Sequence, residues 1–599
     1  MYNRALYRKA ADDLRGNAGQ LAAYESKHHC VVLAGPGSGK TKTLTIKLAR
    51  MLSEDVEEPR GLACITYNNE CARELEQRLN ALGVIPGERV FIGTVHSFSL
   101  TQIVLPYAKV AGLGLADEFQ VATLKEQRGA LERAYDRLIG RGEDPHRTWR
   151  LRLDRYRRKH LDRNVAAFRE EDPQTANLIL AYEKELRASK LIDFDDMPLL
   201  AVRALNENKW LQNAIKAKYP ILVVDEYQDL GSALHRMVLG LCFSTGIRLF
   251  AVGDVDQSIY GFTGANPTLL KNLSERHDVE TIRLQLNYRC GSNIVEASQY
   301  ALGEERGYSA PEGAVEGTIF FQPLVGSYEQ HARQLFETLI PQAMERMSGL
   351  QPGDIAIIYP AAWIGDSIAE TAQEYGYGTI RADSNAIYPR SSRLMNWVEK
   401  CVAWSCSGWK TGEPRFSRII NEAQRLFSEA LQSENSKISF QRNLMDFLNE
   451  RRDSTLNLHN WLSDFRRELL HDIFIQSRTL GDEQNNLETF LRNAAPGEKF
   501  DQITLGVFCG QGEGNNRLNL TTLHSSKGRE FRLVVLFAMD DGQVPRQDSN
   551  QREKQESRRL FYVGFTRAEE EIHILFSSHK PSPFVSELGQ RLDQALPND

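Results

Sequence analysis

The sequence predicts an α/β protein of two parallel-sheet domains, each interrupted by a mainly helical insertion. Three observations carry that reading. Short β-branched runs alternate with helical patterns in two separate stretches, the rhythm of parallel βαβ units. Between the runs lie long segments rich in Arg, Glu, Leu and Ala without strand signals. And 599 residues are too many for one compact domain.

The first set of runs is Cys30–Ala34, Leu62–Thr66, Ile221–Asp225 and Leu249–Gly253; the second is Asp354–Tyr359, Leu518–Leu523 and Arg532–Ala538. Residues from about 105 to 190 read as helical, as do residues from about 400 to 507, where Phe416–Leu431 and Phe440–Arg451 carry helical periodicity. The simplest layout places the first domain at 1–104 and 191–280, interrupted by 105–190. The second occupies 281–399 and 508–599, interrupted by a shortened insertion at 400–507.

An apolar share of 41% and a charged share of 25% are those of an ordinary globular protein. No run approaches the ~18–20 apolar residues needed to span a bilayer, so no membrane partner is expected. The N-terminus has no apolar stretch behind its basic residues, which argues against a secretory signal. Eight scattered cysteines without a CxxC pair argue against a zinc or iron–sulfur site and fit a reducing, cytoplasmic setting. The net charge of −6 gives no hint of a nucleic-acid partner, but the run Arg147–Arg163 holds eight Lys/Arg against two Asp. Such a stripe either neutralises phosphates or forms a solvated helix face.

The chemistry is concentrated at residues 31–41. Val31-Val32-Leu33-Ala34-Gly35-Pro36-Gly37-Ser38-Gly39-Lys40-Thr41 reads as a strand, a glycine-rich loop and a helix start. Glycines let backbone N–H groups approach phosphate oxygens closely, and the helix adds its partial positive charge at the same point. Lys40 would reach the outer phosphates of ATP, and the Thr41 hydroxyl would ligate Mg²⁺. A second apolar strand ends in Asp225-Glu226. Adjacent carboxylates there would divide the work, Asp225 on the metal side and Glu226 positioning or deprotonating the attacking water.

The remaining segments resemble the UvrD/Rep/PcrA group of superfamily 1 DNA helicases, in order and over nearly the whole chain. The segments are Gln20 ahead of the loop, Thr66-Tyr67-Asn68-Asn69, Gly93-Thr94-Val95-His96-Ser97-Phe98, Ile192-Asp193-Phe194-Asp195-Asp196, and Gly253–Phe262. Leu286-Asn287-Tyr288-Arg289, Thr522–Phe531 and Arg558–Ala568 complete the set. The resemblance implies two RecA-like motor domains and an ATP-dependent helicase that moves 3′→5′ on single-stranded DNA, in repair, recombination or replication restart. Polarity rests on the forms TLHSSKGREF and YVGFTRA. Gln20 would read adenine, Tyr288 would stack on it, and Glu530 would hold the ribose. Gln257 would sense the γ-phosphate. Arg289 and Arg567 would act as arginine fingers carried on the second motor domain. Tyr67, Asn68, Phe194, Tyr260 and Phe262 would line the DNA track, with core packing the alternative for Phe194. His96 and His524 stand as further DNA contacts or as structural histidines.

Several positions depart from the family pattern. Ala34 stands at the first glycine of the general loop, Lys42 where an arginine often stacks on adenine, Val255 where an acid is usual, and Thr263 where arginine is usual. The second insertion lacks the glycine-containing duplex-contacting pattern. Single-stranded DNA and single/double-strand junctions are the expected partners. The alternative is a motor subunit acting with a nuclease or repair protein, as in phage-defence systems such as Gabija.

Overall fold

The computed structural model describes residues 4–66, 69–84, 89–140, 142, 144–261, 264–383, 386–389, 391–477, 479–498, 500–501, 503–509 and 516–592. Its fourteen strands are β1 (Cys30–Ala34), β2 (Leu62–Thr66), β3 (Val90–Thr94), β4 (Gln120–Val121), β5 (Leu191–Ile192), β6 (Ile221–Val224), β7 (Arg248–Gly253), β8 (Glu280–Leu284), β9 (Thr318–Leu324), β10 (Ile355–Tyr359), β11 (Gly378–Arg381), β12 (Arg517–Thr522), β13 (Phe531–Leu536) and β14 (Ala568–Ser577).

They form two six-stranded sheets, ordered β3-β2-β6-β7-β1-β8 and β11-β12-β10-β13-β14-β9, and a two-stranded ladder of β4 and β5. In the first sheet every neighbouring pair is parallel, with Val31 opposite Ala251 and Thr281, and Cys64 opposite Val223 and Ile92. In the second, β10 pairs in parallel with β12 and β13, and β11 with β12. The predicted fold class is the observed one: two parallel-sheet, RecA-like motor domains with helical insertions. Parallel strands need crossover connections, so the helices of each domain pack on the sheet faces. The central strands β1, β2, β6 and β7 are almost wholly buried, which is why they read as continuous apolar runs.

The chain divides into two compact units, residues 1–321 with 540–572 and 580–599, and residues 322–539 with 573–579. That division departs from the boundary expected at 280/281, which falls inside β8, an edge strand hydrogen-bonded to β1. Beyond β8, Asn287 and Tyr288 run along the phosphate loop, and the helix Gln551–Phe565 packs on Ser292–Leu302. These contacts bind both segments to the first unit. Among the described residues no helix is long and apolar enough to cross a membrane.

The first insertion is helical as expected, apart from the two-residue β4, which pairs with β5 where the chain returns to the sheet. The basic run within it corrects the idea of a phosphate-binding stripe, for most of its cations are partnered inside the protein. Arg157 is fully buried and meets Asp193 at 2.6 Å, Asp196 at 2.9 Å and Glu183 at 3.1 Å. Arg158 binds Asp195 at 2.8 Å, Arg150 binds Asp154, Arg152 binds Asp172, and Arg163 binds Glu183. Arg157 and its hydrogen bonds hold the Asp193 carboxyl far below the ordinary range against the pull of burial.

Removing one member of a buried ionic cluster leaves the others uncompensated in a poor solvent for charge. Arg157→Ala is therefore expected to destabilise the first unit by about 3–5 kcal/mol, read as a lowered denaturant midpoint. A loss below about 1 kcal/mol would sink the view that this cluster pins the insertion to Asp193 and Asp196.

Candidate nucleotide and DNA site

The phosphate loop is shaped by what surrounds it. Strand β1 ends at Ala34, the helix Lys40–Arg50 follows, and the loop between turns through positive φ at Gly37 (65°) and Gly39 (77°). Gly37 carries a second constraint. A Cβ there would lie 2.1 Å from Asn287 Oδ1 and 2.7 Å from Arg289 Cβ. The Tyr288 N–H donates to Gly37 O at 2.8 Å, so loop and segment 287–289 are tied backbone to backbone. Gly35 is closed off in the same way by the Tyr308 ring, 2.4 Å from where its Cβ would stand.

Gln20 is buried and donates from Nε2 to Ser38 O at 2.9 Å. Its backbone N–H is capped by Asn17 Oδ1 at 3.0 Å, and Asn17 Nδ2 donates to the Tyr288 hydroxyl at 3.0 Å. The Tyr288 ring is about half exposed, at 49%, and so presents a free face beside the loop. Ser38 donates to Gly35 O at 2.7 Å. Pro36 lies between the two glycines that the walls close off. Lys42 points the other way, its Nζ 3.3 Å from Asp13 Oδ2.

Lys40 Nζ is the pivot of the electrostatics. It is buried, finds no hydrogen-bond acceptor, and stands 3.6 Å from Glu226 Oε1. Burial alone would lower its proton affinity, but Glu226, Asp254 and Asp225 outweigh burial and raise it. The ammonium is thus charged and unsatisfied, a state that phosphate oxygens relieve.

Asp225 extends the register of β6, its N–H donating to Ile65 O at 2.8 Å. Burial first, then the Glu226 charge, push its carboxyl up to about 7. Glu226 sits in the left-handed region at φ 50°, ψ 45°, an uncommon conformation for a residue with a Cβ. The turn aims its carboxylate at Lys40, and Gln228 Nε2 donates to its other oxygen. Gln228 Oε1 in turn accepts from the Asp254 N–H at 2.9 Å, and Gln257 Nε2 donates to Asp254 Oδ2 at 2.8 Å. Glu226, Gln228, Asp254 and Gln257 therefore form one chain of hydrogen bonds from β6 to the end of β7. Asp256 next in line is held bidentately by Arg306, at 2.7 and 2.9 Å.

The donor set suits Mg²⁺. That ion takes one or two carboxylates and completes its octahedron with water and substrate phosphates. A cation beside Asp225 would draw its raised carboxyl back to the ionised form, and Thr41, second residue of the helix, offers a hydroxyl.

Arg567 is 1% exposed. Its Nε donates to Val563 O at 2.9 Å and an Nη to Thr566 Oγ1 at 3.4 Å. Burial, then the like charge of Arg289, lower its guanidinium to about 9, while Glu226 pulls the other way. Lys40, Arg289 and Arg567 thus bring three cations to one locality within the first unit. Glu530 is exposed and His524 half-exposed; both belong to the second unit.

Among the DNA candidates, Phe194 is 48% exposed, so the core-packing alternative fails. His96 meets its ring edge-on at 5.8 Å, and burial lowers the imidazole's proton affinity. Tyr260 is half-buried at the turn after β7, where the Gly261 N–H donates to Glu556 at 3.1 Å. Tyr67, Asn68, Phe262 and Thr263 lie outside the described residues.

Sequence reasoning gave no role to Asn17, Gln228, Asp254, Asn287, Arg306 or Tyr308. Asn17 carries a local signal, a cap residue three before Gln20. Tyr308 carries none.

The raised Asp225 carboxyl has a stability consequence. The folded chain keeps that proton up to about pH 7, whereas the unfolded chain releases it near pH ~4. Between those limits the folded state binds more protons, so stability falls as pH rises. In chelator and without nucleotide, Asp225→Asn should raise stability on the order of 3 kcal/mol at pH 8, an advantage that fades towards pH ~4. A melting temperature for the variant equal to wild type across this range would refute it.

A strand, a glycine loop, a lysine-headed helix and a neighbouring strand ending in carboxylates define the class, a phosphate-binding-loop protein for nucleoside triphosphates. Residues 16–278 match the UvrD/REP helicase N-terminal domain and residues 363–579 the UvrD-like helicase C-terminal domain. The chain belongs to the UvrD/REP family of DNA helicases, whose members use ATP. It is 27% identical to the ATP-dependent DNA helicase Rep of Salmonella typhimurium and to that of Escherichia coli, in each case over 96% of this chain and 94% of the relative. It is 24% identical to the ATP-dependent DNA helicase PcrA of Leuconostoc citreum, over 94% of this chain and 83% of that protein.

Proposed function

We propose that this chain is an ATP-dependent helicase that moves 3′→5′ along single-stranded DNA and separates duplex at junctions. The observation that carries the reading is the buried Lys40 ammonium, charged, without a hydrogen-bond acceptor, and facing Glu226 at the mouth of the loop. In this reading Gln20 and Tyr288 hold the adenine, and the loop from Ala34 to Thr41 wraps the phosphates. Lys40, Arg289 and Arg567 meet the charge that spreads over the γ-phosphate oxygens during transfer. Thr41 and Asp225 would hold Mg²⁺, which would supply further neutralisation of the phosphates. Glu226 orients the attacking water and takes its proton, and Gln257 reports the state of the γ-phosphate through Asp254.

Phe194, His96 and Tyr260 serve as a DNA face, with Tyr67, Asn68, Phe262 and His524 as its other members and Glu530 on the ribose. Stacking on aromatic rings gives roughly 1–3 kcal/mol per base without demanding a sequence, which suits a motor that passes over every base.

Strand displacement on duplexes carrying 3′ or 5′ single-stranded tails tests the assignment. Unwinding of the 3′-tailed substrate alone is expected; unwinding only from a 5′ tail overturns the polarity, and DNA-stimulated turnover without strand separation leaves a translocase. Glu226→Gln should retain nucleotide and DNA binding while slowing steady-state turnover by about 10²–10⁴-fold. Undiminished hydrolysis by that variant removes Glu226 from its role.

A further inference from the structure

One short turn joins the nucleotide side of the first unit to its DNA candidates. Gln257 bonds Asp254 beside the acids under Lys40, and Tyr260 follows three residues later. Between β7 and Tyr260 the chain makes a single 3₁₀ turn, Val255–Gln257. Asp254 pins that turn from within. Its Oδ1 accepts the Asp256 N–H at 3.0 Å and its Oδ2 the Gln257 amide at 2.8 Å.

From outside, the turn is gripped by one side chain of a distant segment. Arg306 Nε donates to Asp256 Oδ2 at 2.7 Å, and Nη2 donates to Asp256 Oδ1 at 2.9 Å. A two-pronged contact fixes the plane of the carboxylate as well as its place. Arg306 begins a strap, residues 306–309, beyond the helix Ser292–Leu302. The strap is tied by its backbone: the Asn287 N–H donates to Ser309 O at 2.8 Å and the Ser309 N–H to Gln285 O at 3.1 Å. Its Tyr308 ring closes on Gly35, so the same four residues touch the phosphate loop at one point and the turn at another. All of these groups belong to the first unit.

The strap is already held by its backbone bonds and by Tyr308, and Asp256 is only 3% exposed. Burying that carboxylate carries a desolvation penalty that an apolar residue would avoid, so the pair is a weak device for stability. It is a strong one for register. Resting on the roles proposed above for Gln257 and Tyr260, we infer that Arg306 is a positioning residue of the motor. By fixing Asp256 it keeps the turn 254–257 in register with the phosphate loop, so that nucleotide in the loop changes the affinity of the Tyr260 face for single-stranded DNA. Arg306 itself touches neither ligand. The coupling is reciprocal: DNA changes the affinity for nucleotide by the same factor.

The test measures the affinity of the full chain for a fluorescent oligothymidylate, with and without a non-hydrolysable ATP analogue. In wild type the two affinities should differ by a factor of about 5–150, the range for coupled sites. Arg306→Gln should bring that factor to within about twofold of unity, while turnover without DNA stays near wild type. Arg306→Lys keeps the charge but not the fork and should lie between. Asp256→Asn should lose the coupling as Arg306→Gln does, and the double variant should lose no more than either, because each single change breaks the same contact. The double variant strands no charge, so it should melt close to wild type and still lack coupling. A wild-type factor in Arg306→Gln or in the double variant would overturn the inference and leave the motor reading standing. Losses that add in the double variant, or an equal loss of DNA-free turnover in Arg306→Gln, would overturn it too. Wild type whose turnover and DNA affinity ignore the other ligand would overturn the motor reading and the inference together.

Discussion

Replacing Lys40 with alanine is expected to lower DNA-stimulated ATP hydrolysis by about a thousandfold or more, since one cation at the transferred phosphoryl group is commonly worth ~10²–10³ in rate. The structure gives a reason for the upper end. Lys40 acts on the phosphates and also on the acids beneath it, lowering the carboxyls of Asp225 and Asp254 against their burial. Without the ammonium those two acids and Glu226 face each other in a buried space with less to neutralise them. Asp225 then holds its proton to still higher pH and is a poorer ligand for a cation. The loss should therefore be accompanied by weaker Mg²⁺-dependent nucleotide binding, measurable with a fluorescent ATP analogue. Turnover within about tenfold of wild type in a folded variant would remove Lys40 from the centre of the mechanism.

Arg567 carries the second large effect. Arg567→Met should cut kcat by about 10³–10⁵, the range for an arginine finger, and weaken nucleotide binding as well. A second readout distinguishes this from simple damage. Arg567 is a fully buried guanidinium with Arg289 beside it, lowered to about 9 by burial and by that like charge. A methionine keeps much of the volume and removes the charge, so without nucleotide the variant should melt no lower than wild type, in line with other buried charges replaced by apolar groups. It should also lose much of the stabilisation that a non-hydrolysable ATP analogue gives wild type. A variant that unfolds early, or that keeps full nucleotide-induced stabilisation, is incompatible with Arg567 as the cation that answers the phosphate.

The parts of the fold that were legible in the sequence share one physical property. Strands β1 and β2 were read to the residue and β6 and β7 to within one, because a parallel strand buried on both faces must be apolar at every position. Strands β3, β8 and β11 escaped notice because they lie at or next to a sheet edge and expose part of one face. β14 begins with Ala568 and three glutamates, which mask the apolar half that follows. The two-residue β4 is too short to show any period. In the site, Lys40, Asp225 and Glu226 were legible because their chemistry is written in contiguous residues. The walls are not contiguous: Asn287 and Tyr308 close on glycines some 250 positions earlier, and no local pattern reports such a contact. The basic run misled for a related reason. Counting charges from 147 to 163 sees one half of a structure whose acids arrive at Asp172, Glu183 and Asp193–Asp196.

The left-handed turn at Glu226 sets two selective pressures against each other at a single codon. A residue with a Cβ held at φ 50° carries a standing cost of about 1 kcal/mol or more, which glycine would not bear. Asparagine and aspartate tolerate the turn better than glutamate, yet aspartate's carboxylate would stop one methylene short and asparagine has none. Drift towards a sturdier fold therefore points away from glutamate here, and only work done at the nucleotide points back. Lineages of this chain freed from that work should lose Glu226 early, well before the packed glycines around it.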